Sequence, residues 1–423
     1  MINEDIIKFF SEHCESDGVP NIDDNLWHIF MEKYSKDDIR QSLAEYIHRN
    51  NVPFPWRSHP VEKFITRFKD LCYESMLDQY EYKRDHIVKE KHDYKYKYED
   101  SPLGIIDKSH LYNVVSDYFQ QQNRLKCDSI SQLSPYGTWK DKDKLSRMNW
   151  TFWRMDKSGP RRENFLASFR LGTYTATQFR PSVAKALYEK HNAINVLDTS
   201  CGWGDRLAGF YATKNTERYV GCDPNPDVYE VYKKQCVEYE ILLGNTPLLT
   251  EYEDHFTCVG KKSVEIWRKP SEDVNWDLYL DTFDFYFTSP PYFATEKYAA
   301  DTEETSDQSW ARYNSFDAWK YDFFFKVTHD VWRTINKDGY MMINIIEPRT
   351  NGNSRHKLCD DMVDYFMSFD ESNYIGKIGM RMMARPHTDD VSDIFIEPIW
   401  VFRKGNDTYE KGGDTGTLDS FFG

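Results

Sequence analysis

The chain has 423 residues, a formal net charge of −15 and eight cysteines, with 40% hydrophobic and 29% charged content, which suits a folded protein of two or three domains. The acid excess excludes a uniformly basic nucleic-acid coat, although local patches can still dock phosphates. No stretch approaches the roughly 18 unbroken apolar residues of a membrane span.

The first residues, "MINEDIIKFFSEH", are too acidic for a secretory leader, so an intracellular protein is expected, cytoplasmic or associated with nucleic acid, with no membrane partner. The cysteines, at positions 14, 72, 127, 201, 222, 236, 258 and 359, form no CxxC pair and join no His cluster. They read as reduced thiols, and no metal site is expected.

Residues 1–100 read as a helical accessory domain. The segment "VEKFITRFKDLCYESMLDQYEYKRDHIVKEKHDYKYKYED" predicts a long amphipathic helix with Phe64, Phe68, Leu71 and Met76 on its buried stripe. Residues 101–165 read as a basic and aromatic connecting region. In "KDKDKLSRMNWTFWRMDKSGPRREN" lysines and arginines alternate with Trp150, Phe152 and Trp153, which makes Arg154, Lys157, Arg161 and Arg162 candidates for nucleic-acid contact. The competing reading puts the aromatics in a core.

Residues 166–405 read as the catalytic domain. "TATQFRPSVAKALYEKH" predicts a helix with Pro181 in its first turn and Phe179 just before it. "INVLDTSCGWGDRLAGFYAT" predicts a buried strand over Ile194–Leu197, a loop with Gly202 and Gly204, and a helix opening near Arg206. Glycines there let a backbone approach a ligand, and Asp198 falls at the strand's carboxyl end, where open α/β sheets bind ligands. "RYVGCDPNP" predicts a second strand ending at Asp223, placed to take two ribose hydroxyls. A nucleotide-binding dehydrogenase shares this outline, but GxGxxG spacing is absent.

"RKPSEDVNW" brings Glu272 and Asp273 ahead of the run "FDFYFTSPPYFATEKY". That strand stops at a serine and two prolines. Each proline removes a ladder donor and stiffens the backbone, so the strand end holds fixed carbonyls. The remaining chain predicts a loop, an amphipathic helix, a turn at Asp338 and Gly339, a strand, and a late strand in "DIFIEPIWVFRK". Residues 406–423 read as a flexible tail.

Residues 170–404 resemble the class I S-adenosylmethionine (SAM) amino-methyltransferases of nucleic acids, in particular phage- and virus-type DNA methylases with a TSPPYF…E.Y block, its last two letters here Glu296 and Tyr298. The glycine loop matches their first motif, and Ser289, Pro290, Pro291 and Tyr292 match the [DNS]PP[YFW] signature. The resemblance implies an α/β, Rossmann-like fold with a mostly parallel central sheet, and SAM as cofactor. It implies that Asp198, Ser200, Gly202 and Gly204 line the methionine end, that Phe179 and Pro181 pack beside it, that Asp223 holds the ribose, and that Asp273 meets the adenine amino group.

The implied reaction is methylation of an exocyclic amino group, adenine N6 or cytosine N4, in DNA. Such a nitrogen has its lone pair delocalised into the ring. The Ser289 hydroxyl and the Pro290 carbonyl are acceptors that draw on its N–H bonds, Pro291 stiffens the turn, and Tyr292 offers a face to an extruded base. The signature opens with Ser, and the choice between the two bases stays open. An RNA amino-methyltransferase would share these residues. A protein-glutamine methyltransferase and a catalytically inactive SAM-fold subunit are weaker rivals. Target recognition falls to residues 1–164 or to an insertion over residues 231–276.

Overall fold

The computed structural model describes residues 2–81, 88–90, 96–98, 103–106, 109–154, 158–293, 295–298, 303–348, 355–382 and 394–405. The expected tail, residues 406–423, and the candidate Lys157 lie outside the described residues.

Seven strands build the catalytic sheet: β1 (Asn195–Asp198), β2 (Arg218–Cys222), β3 (Ser263–Trp267), β4 (Phe283–Thr288), β5 (Ile335–Asn344), β6 (Ser372–Arg381) and β7 (Ile394–Lys404). They lie side by side in the order β3-β2-β1-β4-β5-β7-β6. The first five run parallel, and β7 runs antiparallel to both β5 and β6. This is the doubly wound, Rossmann-like order of the class I methyltransferase sheet, and the order reverses between β1 and β4. A crevice at the carboxyl ends of the strands opens at such a reversal.

Both faces of the sheet are covered, as buried parallel strands require. Val196, Phe285 and Phe287 point into one core with Tyr188, Leu207, Tyr211 and Tyr239 from the crossover helices. Leu197, Tyr286 and Ile343 point into the other with Phe324, Val331 and Phe366. Successive residues Phe285, Tyr286 and Phe287 of β4 therefore serve opposite cores, which explains the apolar run "FYF", while the Asp284 carboxylate accepts from the Ile194 and Asn195 N–H groups at the start of β1.

The predicted insertion at 231–276 is a different object. Val231 belongs to the helix Pro226–Leu242, and Leu248–Glu251 and His255–Val259 extend the sheet antiparallel beyond β3. On the far edge Ile105–Ile106 joins β6, and Tyr80–Glu81 follows it.

That edge also accounts for the shortened N-terminal helix, which runs Val61–Tyr73 and stops. Phe64, Phe68, Leu71 and Met76 are buried as expected, against the sheet's helices. The Tyr and charge alternation that follows has the period of a strand, and its first residues pair with the sheet.

The boundaries expected at 100 and 165 do not coincide with the packing. A separate core joins Phe10, Trp27 and Leu43 to Trp139, Phe152, Phe165 and Phe169. The helical bundle thus combines residues 3–54 with residues 134–172, and Val61–Tyr73 and Val114–Lys126, between them in sequence, pack on the sheet. Among the described residues no helix is long and apolar enough to cross a membrane. All eight cysteines are unpaired.

Candidate functional site

Asp198, at the end of β1, is fully buried. It accepts from Arg206 Nε at 2.7 Å, the Tyr219 hydroxyl at 2.7 Å and Thr288 Oγ1 at 3.0 Å. All three neighbours come from different elements, so the carboxylate ties β1, β2, β4 and the following helix together. It lies outside the crevice lining, a correction to its expected place beside the cofactor. Arg206 also donates to the Ser200 carbonyl and stands over the rings of Phe179 and Phe287.

The loop itself reaches the crevice through Thr199, Ser200, Gly202 and Trp203. Gly202 has φ +59°, and an added Cβ would meet nothing nearer than 3.8 Å, so the left-handed backbone is its reason for being glycine. Gly204 (φ +70°) is held differently, because a Cβ would strike Gln235 at 2.5 Å. It serves helix packing and does not line the crevice. Phe179 packs edge-on against Phe287 and Pro181 is buried in the first turn of Pro181–Lys190; neither lines the crevice either.

Asp223, one residue past β2, does line it. Its Oδ2 accepts from the Gly202 N–H at 3.0 Å and the Tyr232 hydroxyl at 3.1 Å, and its Oδ1 from the Asn225 N–H at 3.0 Å. Burial pushes its pKa up to about 6 against the pull of these donors.

After β3 the acid facing the crevice is Glu272. Asp273 turns away into a two-point pair with Arg312 at 2.7 and 3.0 Å. This corrects the expected assignment by one residue. The Tyr313 hydroxyl donates to Glu272 Oε1 at 2.7 Å, while Glu272 Oε2 is buried without a partner among the described residues. Gln308, also in the lining, has an unpartnered buried Nε2. Gln308 was not singled out from sequence, since it follows the proline pair in a segment without a readable pattern, whereas Tyr298 is the last residue of the quoted TSPPYF…E.Y block.

The proline pair closes the crevice at the end of β4. Ser289 and Pro291 line the same cavity as Ser200, Gly202 and Asp223; it encloses about 630 Å³ of atom-free space, part of it open to solvent. The Ser289 hydroxyl donates to Asn344 Oδ1 at 3.4 Å, and Asn344 Nδ2 donates to the Pro398 carbonyl at 3.1 Å. The Pro291 carbonyl is taken by the Phe293 N–H at 2.9 Å, whereas among the described residues no hydrogen bond ends on the Pro290 carbonyl. Phe293 has φ +53°, a strained value for an aromatic residue, and is locked by packing on Phe316 and Trp319.

Tyr292 is half-buried and is not in the cavity lining. Its hydroxyl donates to Glu397 Oε1 at 2.8 Å, with the Asn344 carbonyl a second acceptor within reach at 3.2 Å. Burial and the Glu397 carboxylate raise its pKa well above the usual phenol value. Asn344 and Glu397 were missed in the sequence; the one available signal is that Asn344 ends a parallel strand.

No family model matches the chain, and no curated protein matches it. Among solved structures, the Trm1 protein of Pyrococcus horikoshii in complex with SAM is 15% identical with a TM-score of 0.32, over 54% of this chain and 57% of its own. A putative SAM-dependent methyltransferase from Listeria monocytogenes is 12% identical with a TM-score of 0.32, over 53% of this chain and 97% of its own. The 1,6-didemethyltoxoflavin-N1-methyltransferase of Burkholderia thailandensis is 12% identical with a TM-score of 0.30, over 53% and 78%. The chain thus spans little more than half the length of the Pyrococcus protein. Its fold assignment rests on its own strand order.

The nucleic-acid candidates of the sequence lie far from a free basic stripe. Arg161 pairs with Asp24 at 2.7 Å, and Arg162 pairs with Glu15 and Asp17, each at 2.6 Å. Both are therefore committed to holding the halves of the bundle together, which corrects their expected role. Arg154 is exposed, with its guanidinium 4.1 Å above the Trp150 ring. Phe152 is core, packed on Phe165. Among the described residues no His, Cys, Asp and Glu group is arranged for a metal ion.

Proposed function

We propose that this protein is a SAM-dependent methyltransferase acting on an exocyclic amino group of a DNA base, adenine N6 or cytosine N4. One observation carries the reading. The Ser-Pro-Pro-Tyr turn ends β4 at the reversal of strand order, and Ser289 and Pro291 share their cavity with the acidic end of β2 and the glycine loop after β1.

The residues present suit the cofactor. Asp223 offers a carboxylate for vicinal hydroxyls, and the two unpartnered atoms offer an acceptor at Glu272 and a donor at Gln308. Buried polar atoms of native proteins are nearly always paired, and an adenine edge presents the complementary donor and acceptor. SAM, when bound, supplies a methyl group on a positively charged sulfur that leaves as a neutral thioether.

The chain's own contribution is orientation. Ser289 directs its proton at Asn344, so its oxygen lone pairs stand free to accept an amino hydrogen. The Pro290 carbonyl is a second acceptor, fixed in direction by the rings on either side of the peptide. Drawing on both N–H bonds turns the nitrogen lone pair out of the ring; the nitrogen bonds to the methyl carbon as the carbon–sulfur bond breaks, and the methylated nitrogen then releases one proton to solvent.

The test offers labelled SAM with duplex DNA, single-stranded DNA, RNA and protein extract in separate reactions, followed by digestion of the labelled product to nucleosides. Label in N6-methyladenine or N4-methylcytosine from DNA is the expected result. Label confined to RNA transfers the reading to an RNA amino-methyltransferase, and label in protein ends it.

A further inference from the structure

A second cavity, about 370 Å³ of atom-free space, opens where the bundle meets the helices on the sheet. Arg57, Arg124 and Arg170 contribute three guanidiniums to its lining, together with Thr175. A single carboxylate, Asp117, faces them. It accepts from Arg124 Nε at 2.9 Å and Nη2 at 2.7 Å, and contacts His59 Nε2 at 3.2 Å. Among the described residues neither Arg57 nor Arg170 has a carboxylate at ion-pair distance.

This concentration of positive charge runs against a chain of net charge −15. Loss of solvation, and after it the charges of Arg57 and Arg124, lower the pKa of Arg170, while Asp117 works the other way. Thr175 Oγ1 is buried and has no hydrogen-bond partner among the described residues. Several guanidinium forks around a hydroxyl are a match for the tetrahedral oxygens of a phosphate.

The cavity is also wired to the catalytic turn. Next to Thr175, the Tyr174 hydroxyl donates to Glu296, four residues past Tyr292 in the segment that follows the proline pair. On its other side, the Ala176 carbonyl accepts from Arg124 at 3.3 Å and the Thr177 carbonyl accepts from Trp203 Nε1 at 3.2 Å. Trp203 lines the crevice.

We infer that Arg57, Arg170 and Thr175, backed by the Arg124 charge that Asp117 holds in place, form a phosphate-binding site that takes a backbone phosphodiester of the strand whose base is presented to Ser289. The inference rests on the nucleic-acid reading above and adds the point at which the strand is gripped. It replaces the Arg161 and Arg162 patch expected from the sequence.

The full chain is titrated with single-stranded and duplex oligonucleotides over a series of salt concentrations, as the parent and as R57Q/R170Q. Loss of these phosphate contacts lowers affinity and flattens the log–log salt slope, by about 0.7 per contact on single strands and about 0.9 on duplex. R57K/R170K keeps the charge and recovers most of the slope. SAM affinity by calorimetry is unchanged in both variants, which separates this effect from a folding defect. Inorganic phosphate and pyrophosphate serve as a second probe, and raise the thermal midpoint of the parent more than that of R57Q/R170Q. An unchanged slope in R57Q/R170Q with equal phosphate response overturns the site. A parent that binds no oligonucleotide, yet shows the phosphate response that R57Q/R170Q lacks, overturns the phosphodiester occupant together with the nucleic-acid reading while the anion site stands.

Discussion

The Ser289 hydroxyl and the Asn344 amide face each other across the ends of β4 and β5, with the serine donating to Asn344 Oδ1 at 3.4 Å. The amide cannot flip freely, because its Nδ2 is held by the Pro398 carbonyl at 3.1 Å on β7. The serine's proton is thus steered by a residue fifty-five positions away. Asn344→Leu should leave SAM affinity within about twofold and slow single-turnover methyl transfer about ten- to a hundredfold, because the Ser289 hydroxyl loses the group that orients it. Ser289→Ala should fall in the same range. Rapid-quench measurement at saturating SAM reads both, and parental rates in the two variants would remove Ser289 from the chemistry.

Tyr292→Phe is not a silent change here. Its hydroxyl spans from the proline turn to Glu397 on β7, and removing it leaves the carboxylate short of a donor at a site 8% exposed. A cost of about 1–3 kcal/mol in stability is expected, read from urea denaturation, with Glu397→Gln milder because the amide oxygen still accepts. Methyl transfer should slow in both variants while SAM binding holds.

Asp223 predicts a pH profile. Its pKa in the folded chain is raised to about 6 by burial, so the carboxylate is present above that value and is lost as pH falls through it. Ribose hydroxyls need the carboxylate as acceptor, so SAM affinity should be flat from about pH 7 upward and weaken progressively below about pH 6. Asp223→Asn should abolish that dependence. Asp223→Ala should weaken binding by about 2–3 kcal/mol, the loss of a charge-assisted hydrogen-bond pair. Calorimetry across pH 5–8 checks all three.

The neighbouring acids Glu272 and Asp273 should separate cleanly. Glu272 lines the crevice with Oε2 unpartnered among the described residues and Oε1 3.3 Å from Arg312 Nη1, while Asp273 binds Arg312 at two points. Glu272→Ala should weaken SAM at least about fivefold, whereas Asp273→Asn should leave the affinity unchanged. The reverse order would restore Asp273 as the adenine contact.

Arg206 and Asp198 form a buried ion pair, 4% and 0% exposed in their side chains. Replacing either partner strands the other charge in the core, so Arg206→Met should cost about 3–5 kcal/mol of stability. The loss appears in denaturant midpoints without any ligand present, which distinguishes it from a cofactor-binding defect.

The strand ends that border the crevice were legible in the sequence because each relied on local chemistry, whereas the order of strands across the sheet came only from the family resemblance. "VLD" before two glycines, "VGCD", and an aromatic strand cut short by two prolines each announce a strand end. What the sequence hid was pairing at a distance. Asp198 has the appearance of a ligand-facing acid until Arg206, Tyr219 and Thr288 arrive from three other elements to occupy it. Arg161 and Arg162 pass for a basic patch until Asp24, Glu15 and Asp17 fold back onto them. Charge counted along a chain says nothing about which charges cancel in space. The predicted long helix failed for a related reason, since the sheet edge gave Tyr80–Glu81 a strand partner that helix periodicity could not foresee.

The bundle's discontinuous make-up has a mechanical consequence. The chain passes between the bundle and the catalytic sheet at residues 55–60, again at 127–134, and again at 173–180, each within the described residues. A body tethered at one point can swivel, and one tethered at two can swing like a door. Three separate moorings leave no free axis. Whatever surface the bundle offers, it offers at a fixed bearing to the proline turn, and severing the chain near residue 100 would free no module, because Trp27 and Leu43 would be parted from Trp139 and Phe165.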